Sequence, residues 1–227
     1  MNADEVIKKL KKMGSKKNKE GMARFGIETK NALGISLYVL RPFGKEIGKD
    51  QKLAEELWET GIHEARMLAT FIGEPEKVTE KLMEKWVRDF DSWDIVDQCC
   101  SNLFDKTEFA YAKAFEWSER GEEFVKRAGF VLMATLSVHD KEAGDKKFEK
   151  FFPVIKREAT DERNFVKKAV NWALRQIGKR NLALNKKAVK VGKEISEIDS
   201  KAARWIAADA LRELESEKVL ERLRNKK

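Results

Sequence analysis

The segment DSWDIVD, residues 91–97, puts Trp93 and Asp97 four positions apart, which is one helical turn. An aromatic face and a carboxylate then share one side of a helix. Such a carboxylate serves either catalysis or a structural ion pair. Ile95, Val96, Cys99 and Leu103 fall on a different side and read as core, whereas Asp97 neighbours Trp93, Cys100 and Phe104. An isolated carboxylate in that apolar setting is costly, so Asp97 either pairs with a cation or borders an open cleft. Arg127 is the candidate cation. The nine residues after it, AGFVLMATL, carry no charge, so its guanidinium leaves a sheltered surface and needs a carboxylate or phosphate partner. Asp94, in the first turn after an N-capping Ser92, is adequately explained by capping.

A second constellation lies in residues 162–179. Phe165, Val166, Ala169, Val170, Ala173 and Ile177 form one apolar sector of a helix, while Lys168, Trp172, Arg175 and Lys179 fall together elsewhere, at spacings of 4, 3 and 4. A tryptophan among cations suits a nucleic acid, with the cations on phosphates and the indole on sugar or base. The alternative is an indole packed on a neighbouring helix with lysine stems around it. Arg180, at the end of this segment, and Arg204, in a later one, are further candidate phosphate contacts.

Charge distribution supports a polyanionic partner. The net charge is +8, but residues 163–193 hold ten Lys/Arg and no acid, while residues 51–123 hold eighteen acids against nine bases. His63-Glu64 and His139-Asp140 make no regular metal spacing, and adjacent Cys99 and Cys100 make neither a zinc knuckle nor a disulfide framework. No Walker or Rossmann fingerprint occurs. We expect no metal and no cofactor. MNADEVIKKL has no apolar h-region, and the apolar run FVLMATL (130–136) is too short to span a bilayer. A cytoplasmic protein without membrane contact is expected.

The elements positioning these residues read as helices throughout. Periodicity and breaks place them near 2–13, 33–41, 50–60, 62–72, 75–89, 92–104, 106–118, 121–138, 145–159, 162–179, 182–195, 199–214 and 216–225. The chain also repeats itself. FVKRAGFVLMATL (124–136) matches FVKKAVNWALRQI (165–177) at an offset of 41, KAARWIAADALREL (201–214) is a looser copy, and HEARMLATFIG (63–73) keeps the pattern. Helix pairs repeating at this period predict an all-α HEAT/ARM-like solenoid, a curved superhelix with a concave inner face. One domain over 1–227 is expected, with residues 1–20 as a more mobile basic cap.

Four segments carry a resemblance: ELWETGIHEARMLA (56–69), WVRDFDSWDIVD (86–97), FVKRAGFVLMATL (124–136) and FVKKAVNWALRQIGKRN (165–181). From about Lys30 to Leu214 the chain resembles the AlkD-type DNA alkylation repair proteins, which are alkylpurine DNA glycosylases built from HEAT-like repeats. The resemblance implies a catalytic aspartate at Asp97, cleft tryptophans at Trp93 and Trp172, the arginine of the next repeat at Arg127, and a DNA contact at Arg175. It implies a monofunctional glycosylase acting on N3- or N7-alkylated purines in duplex DNA, without a metal, as a nucleoid-associated monomer. The wider family also includes members that bind unusual DNA structures without glycosylase activity, so a non-catalytic reader of branched or distorted DNA is the alternative. A HEAT adaptor for an acidic protein is a third reading.

Overall fold

The computed structural model describes residues 1–225 of the 227. Among them are fifteen α-helices and no strand. These are α1 (Ala3–Met13), α2 (Lys16–Arg24), α3 (Leu37–Ile47), α4 (Gln51–Glu59), α5 (His63–Ile72), α6 (Glu80–Arg88), α7 (Trp93–Asn102), α8 (Ala110–Ser118), α9 (Glu123–His139), α10 (Asp145–Glu149), α11 (Phe151–Arg157), α12 (Asn164–Gly178), α13 (Leu182–Ser196), α14 (Lys201–Leu214) and α15 (Glu217–Arg224). The chain packs as two compact units, Met1–Glu108 and the residues from Phe109 on.

Three of the elements that depart from the periodicity reading do so for a plain physical reason. Residues 16–24 form α2 although none of them is buried. With no apolar stripe, no periodicity marks it, and Ser15 caps it by accepting from the Asn18 N–H at 3.3 Å. Helix α3 runs through Pro42 to Ile47 instead of stopping at 41. Pro42 forfeits only the bond to the Tyr38 carbonyl and is itself exposed, while Leu40 and Phe43 bury the helix on its other side. Residues 145–159 divide at Lys150, because Pro153 has no N–H to continue the first helix and sits instead in the first turn of α11.

In the first unit, α1 buries Val6 and Leu10 and packs on α4 and α5. Helix α5 lies against α3, α4 and α7. Trp58 of α4 stacks on Trp86 of α6 with ring centroids 4.1 Å apart and planes 2° from parallel. The Trp58 Nε1–H also donates to Asp89 at 2.9 Å, so the pair is oriented as well as buried. Glu64 of α5 is fully buried and accepts from the N–H groups of Leu33, Gly34 and Ile35 at 2.8, 2.7 and 3.1 Å. These charge-assisted bonds fix the loop leading into α3.

In the second unit α8 packs on α9, α9 on α12, and α12 on both α13 and α14. The row α9, α12, α14 contains the three mutually similar segments, so the internal repeat is a repeat of position. Gly129 permits the α8–α9 crossing, since a Cβ there would lie 2.4 Å from the Ser118 nitrogen. Only glycine lets the two backbones approach that closely.

Candidate functional site

Helix α7 owes its placement to contacts at its first turn. Ser92 stands at the N-cap but does not cap. Fully buried, its Oγ accepts from the Glu28 N–H at 2.7 Å. The Trp93 Nε1–H donates to the Phe25 carbonyl at 3.0 Å. Asp94 does more than cap: its Oδ2 meets His63 Nε2 of α5 at 3.0 Å. Burial lowers the His63 pKa, but the Asp94 hydrogen bond and the charges of Asp94, Glu64 and Asp91 outweigh it and leave it raised. Helix α7 is thus tied to the 25–28 loop and to α5.

One turn further on, Asp97 and Trp93 are both half-buried, while Ile95, Val96 and Cys99 are fully buried on the other side and Cys100 is fully buried beside them. Ser101 donates to the Asp97 backbone carbonyl at 2.6 Å. The result is a carboxylate and an indole held one turn apart on a rigid helix, bordering accessible space. That arrangement can place negative charge and a π face beside a developing cation.

The second unit holds the other expected residues. Arg127 is only 5% exposed, and its Nη1 donates to the Phe165 carbonyl at 2.7 Å, tying α9 to α12. A backbone carbonyl, not only a carboxylate or phosphate, therefore serves this sheltered guanidinium. Trp172 is half-buried and Lys168 is exposed. Arg175 and Lys179 do not stand as open cations. Arg175 Nη1 lies 3.2 Å from Asp209 and 2.9 Å from Glu213, and Lys179 Nζ lies 2.7 Å from Glu213. Asn171 also donates to Asp209, at 2.7 Å. The acids that balance Arg175 and Lys179 sit on α14, one repeat later, where a window of contiguous sequence cannot find them.

One assignment changes. Arg180 gives way as a DNA contact, because it donates to the carbonyls of Ser137, Lys141 and Ala143 at 3.0, 3.2 and 2.7 Å and covers the Phe148 ring. It clamps the end of α9. Arg204 stays accessible but pairs with Asp199 at 2.9 Å. Sequence reading passed over Arg66, which reaches the Asp89 carbonyl at 3.0 Å and lies over Trp58. Its signal was present, since HEAR places an arginine where FVKR places Arg127. Among the described residues no cluster of three His, Cys, Asp or Glu side chains could hold a metal ion, and no helix is long and apolar enough to cross a membrane.

The stacked helix pairs, tied layer to layer by polar side chains, define a helical-repeat protein of HEAT type. The family model for DNA alkylation repair enzymes matches residues 6–214, and the chain belongs to that family. A solved structure described as "a new family of proteins related to the HEAT-like repeat DNA glycosylases with affinity for branched DNA structures" has the same fold. Its TM-score is 0.79 at 22% identity, over 94% of this chain and 95% of that one. A designed armadillo repeat protein in complex with peptide (KR)4 gives a TM-score of 0.39 at 14% identity, over 82% and 84% of the two chains. No curated protein sequence matches significantly.

Proposed function

We propose that the protein is a monofunctional DNA glycosylase, acting as a monomer on N3- and N7-alkylated purines in duplex DNA. The observation carrying this reading is the Trp93–Asp97 pair, one turn apart on an anchored helix, in a chain of the DNA alkylation repair enzyme family. An N3- or N7-alkylpurine is cationic and leaves as a neutral base, taking the C1′–N bonding electrons without a general acid. The sugar is left oxocarbenium-like. Asp97 opposes that charge and orients the attacking water, whose oxygen bonds to C1′ and whose proton passes to solvent, giving an abasic site. Trp93 offers its π face to the same cation. In the second unit, Trp172 and Arg127 hold their catalytic roles through the resemblance alone. Lys168 and Arg204 contact phosphates, and Arg175 and Lys179 do so in competition with Asp209 and Glu213. No step uses a metal, so excision should persist in excess EDTA. Abolition by chelation would contradict the mechanism.

Asp97→Asn is the deciding experiment, because it removes charge and keeps shape. Single-turnover excision should fall by about 10²–10³, while affinity for undamaged duplex changes little. Wild-type excision by a folded, DNA-binding Asp97→Asn protein would end the catalytic assignment. The second reading, a non-catalytic binder of branched DNA, is favoured by the affinity of the structural relative for such DNA. It predicts no base release from wild type, and tighter binding to a four-way junction than to a linear duplex.

A further inference from the structure

The first unit, although it contains most of the acidic stretch 51–123, also carries a cluster of the opposite sign. Arg41, Lys45 and Lys49 follow one another at four-residue spacing along and just beyond α3, and Lys106 faces them from beyond α7. With Gly44, Gly48, Phe71 and Asn102 they line a cleft of about 380 Å³, and no carboxylate among the described residues lines it. Gly44 lets α3 lie close to Phe71, since a Cβ there would stand 3.2 Å from the Phe71 Cβ, and Gly48 leaves its side of the cleft open. Lys49 donates to the carbonyls of Phe71 and Gly73 at 3.0 and 2.7 Å, which fixes it at the cleft. Arg41 donates to Gln98 of α7 at 2.7 Å, and Asn102 donates to the Gln98 carbonyl at 2.7 Å. The wall of the cleft is therefore continuous with the helix that carries Asp97.

We propose that this cleft is a phosphate-binding subsite that anchors the DNA backbone beside α7. The inference rests on the reading of the protein as DNA-binding and adds a contact outside the basic run of the second unit. Four cations around one cavity without a lining anion make a site for an anion. The Lys49 pKa is lowered by burial and by the charge of Lys106, more than Glu76 and Glu74 offset. A phosphate rather than a base fits, because the Arg41 guanidinium already covers the Phe71 ring at 5.0 Å from its centroid. Placement agrees as well. Asn102 lies five residues beyond Asp97, about 7.5 Å along the same helix, so the cleft and Asp97 lie within one short stretch of backbone. A phosphate seated here holds a strand whose lesion lies at Asp97.

The test is the salt dependence of binding to a short fluorescent duplex, for wild type, Lys45→Gln/Lys106→Gln, and Lys52→Gln as a control at an exposed lysine outside the cleft. The double variant should bind more weakly, with a log–log slope shallower by about 1–2, while the control keeps the wild-type slope. Equal slopes for wild type and the double variant would overturn the subsite and leave the DNA reading standing. Absence of duplex binding by wild type itself would overturn both. Inorganic pyrophosphate is the second probe. If it binds wild type and not the double variant while duplex binding is equal in the two, the cleft serves a free phosphate compound and the DNA anchor is wrong.

Discussion

Ser92 carries more of the site than its type suggests. Its hydroxyl is the acceptor for the Glu28 N–H, and the adjacent Trp93 indole holds the Phe25 carbonyl. Ser92→Ala removes that acceptor from a part-buried hydrogen bond, which costs about 1 kcal/mol. We expect a Tm lowered by several degrees and faster amide exchange at Glu28. Unchanged exchange at Glu28 would show that the hydroxyl is not its partner. At this scale the sequence was informative where partners are close in number. Trp93 and Asp97 are visible as a pair because a turn separates them. The Ser92–Glu28 bond spans 64 residues and the Arg127–Phe165 bond 38. Residue types announced that Arg127 needs an acceptor, yet nothing in them specifies a backbone carbonyl three helices later.

Helices α5 and α7 are joined by a titratable link. His63, 6% exposed, meets Asp94, with Glu64 and Asp91 adding negative charge and Arg66 bound to Asp91 nearby. A histidine pKa raised by folding contributes stability that is complete below the unfolded value, near 6.5, and is lost as pH rises through the folded value. Thermal unfolding of wild type and His63→Gln from pH 5.5 to 8.5 should therefore show a stability gap that is widest at acid pH and narrows upward. A constant gap would mean that the link is not ionic. Most helices were legible because an apolar stripe marks them. Those misread are instructive: α2 buries nothing, and Pro42 and Pro153 act oppositely. The first is exposed within a helix that buries its other face, and the second begins a new helix.

Across the whole chain, repetition decided both what was readable and what was not. The offset of 41 between α9 and α12 announced the architecture. The same repetition put the counter-charges of α12 on α14, outside any local window. Glu213 accepts from Arg175 and Lys179 together. Glu213→Gln should release Lys179 and leave Arg175 to Asp209 alone, raising duplex affinity and steepening its salt dependence by up to about 1. Weaker duplex binding by a folded Glu213→Gln protein would exclude these cations as phosphate contacts. A kinetic consequence follows from where that carboxylate sits. Helix α14 is held by packing on α12 and α13, and parts of a repeat array open locally. Each opening of α14 strips Arg175 and Lys179 of their carboxylates and raises their attraction for a polyanion. A ligand that prefers the opened form increases its population. Bound DNA should then accelerate amide exchange in α14 while slowing it elsewhere, so this repeat breathes faster in the complex than in the free protein.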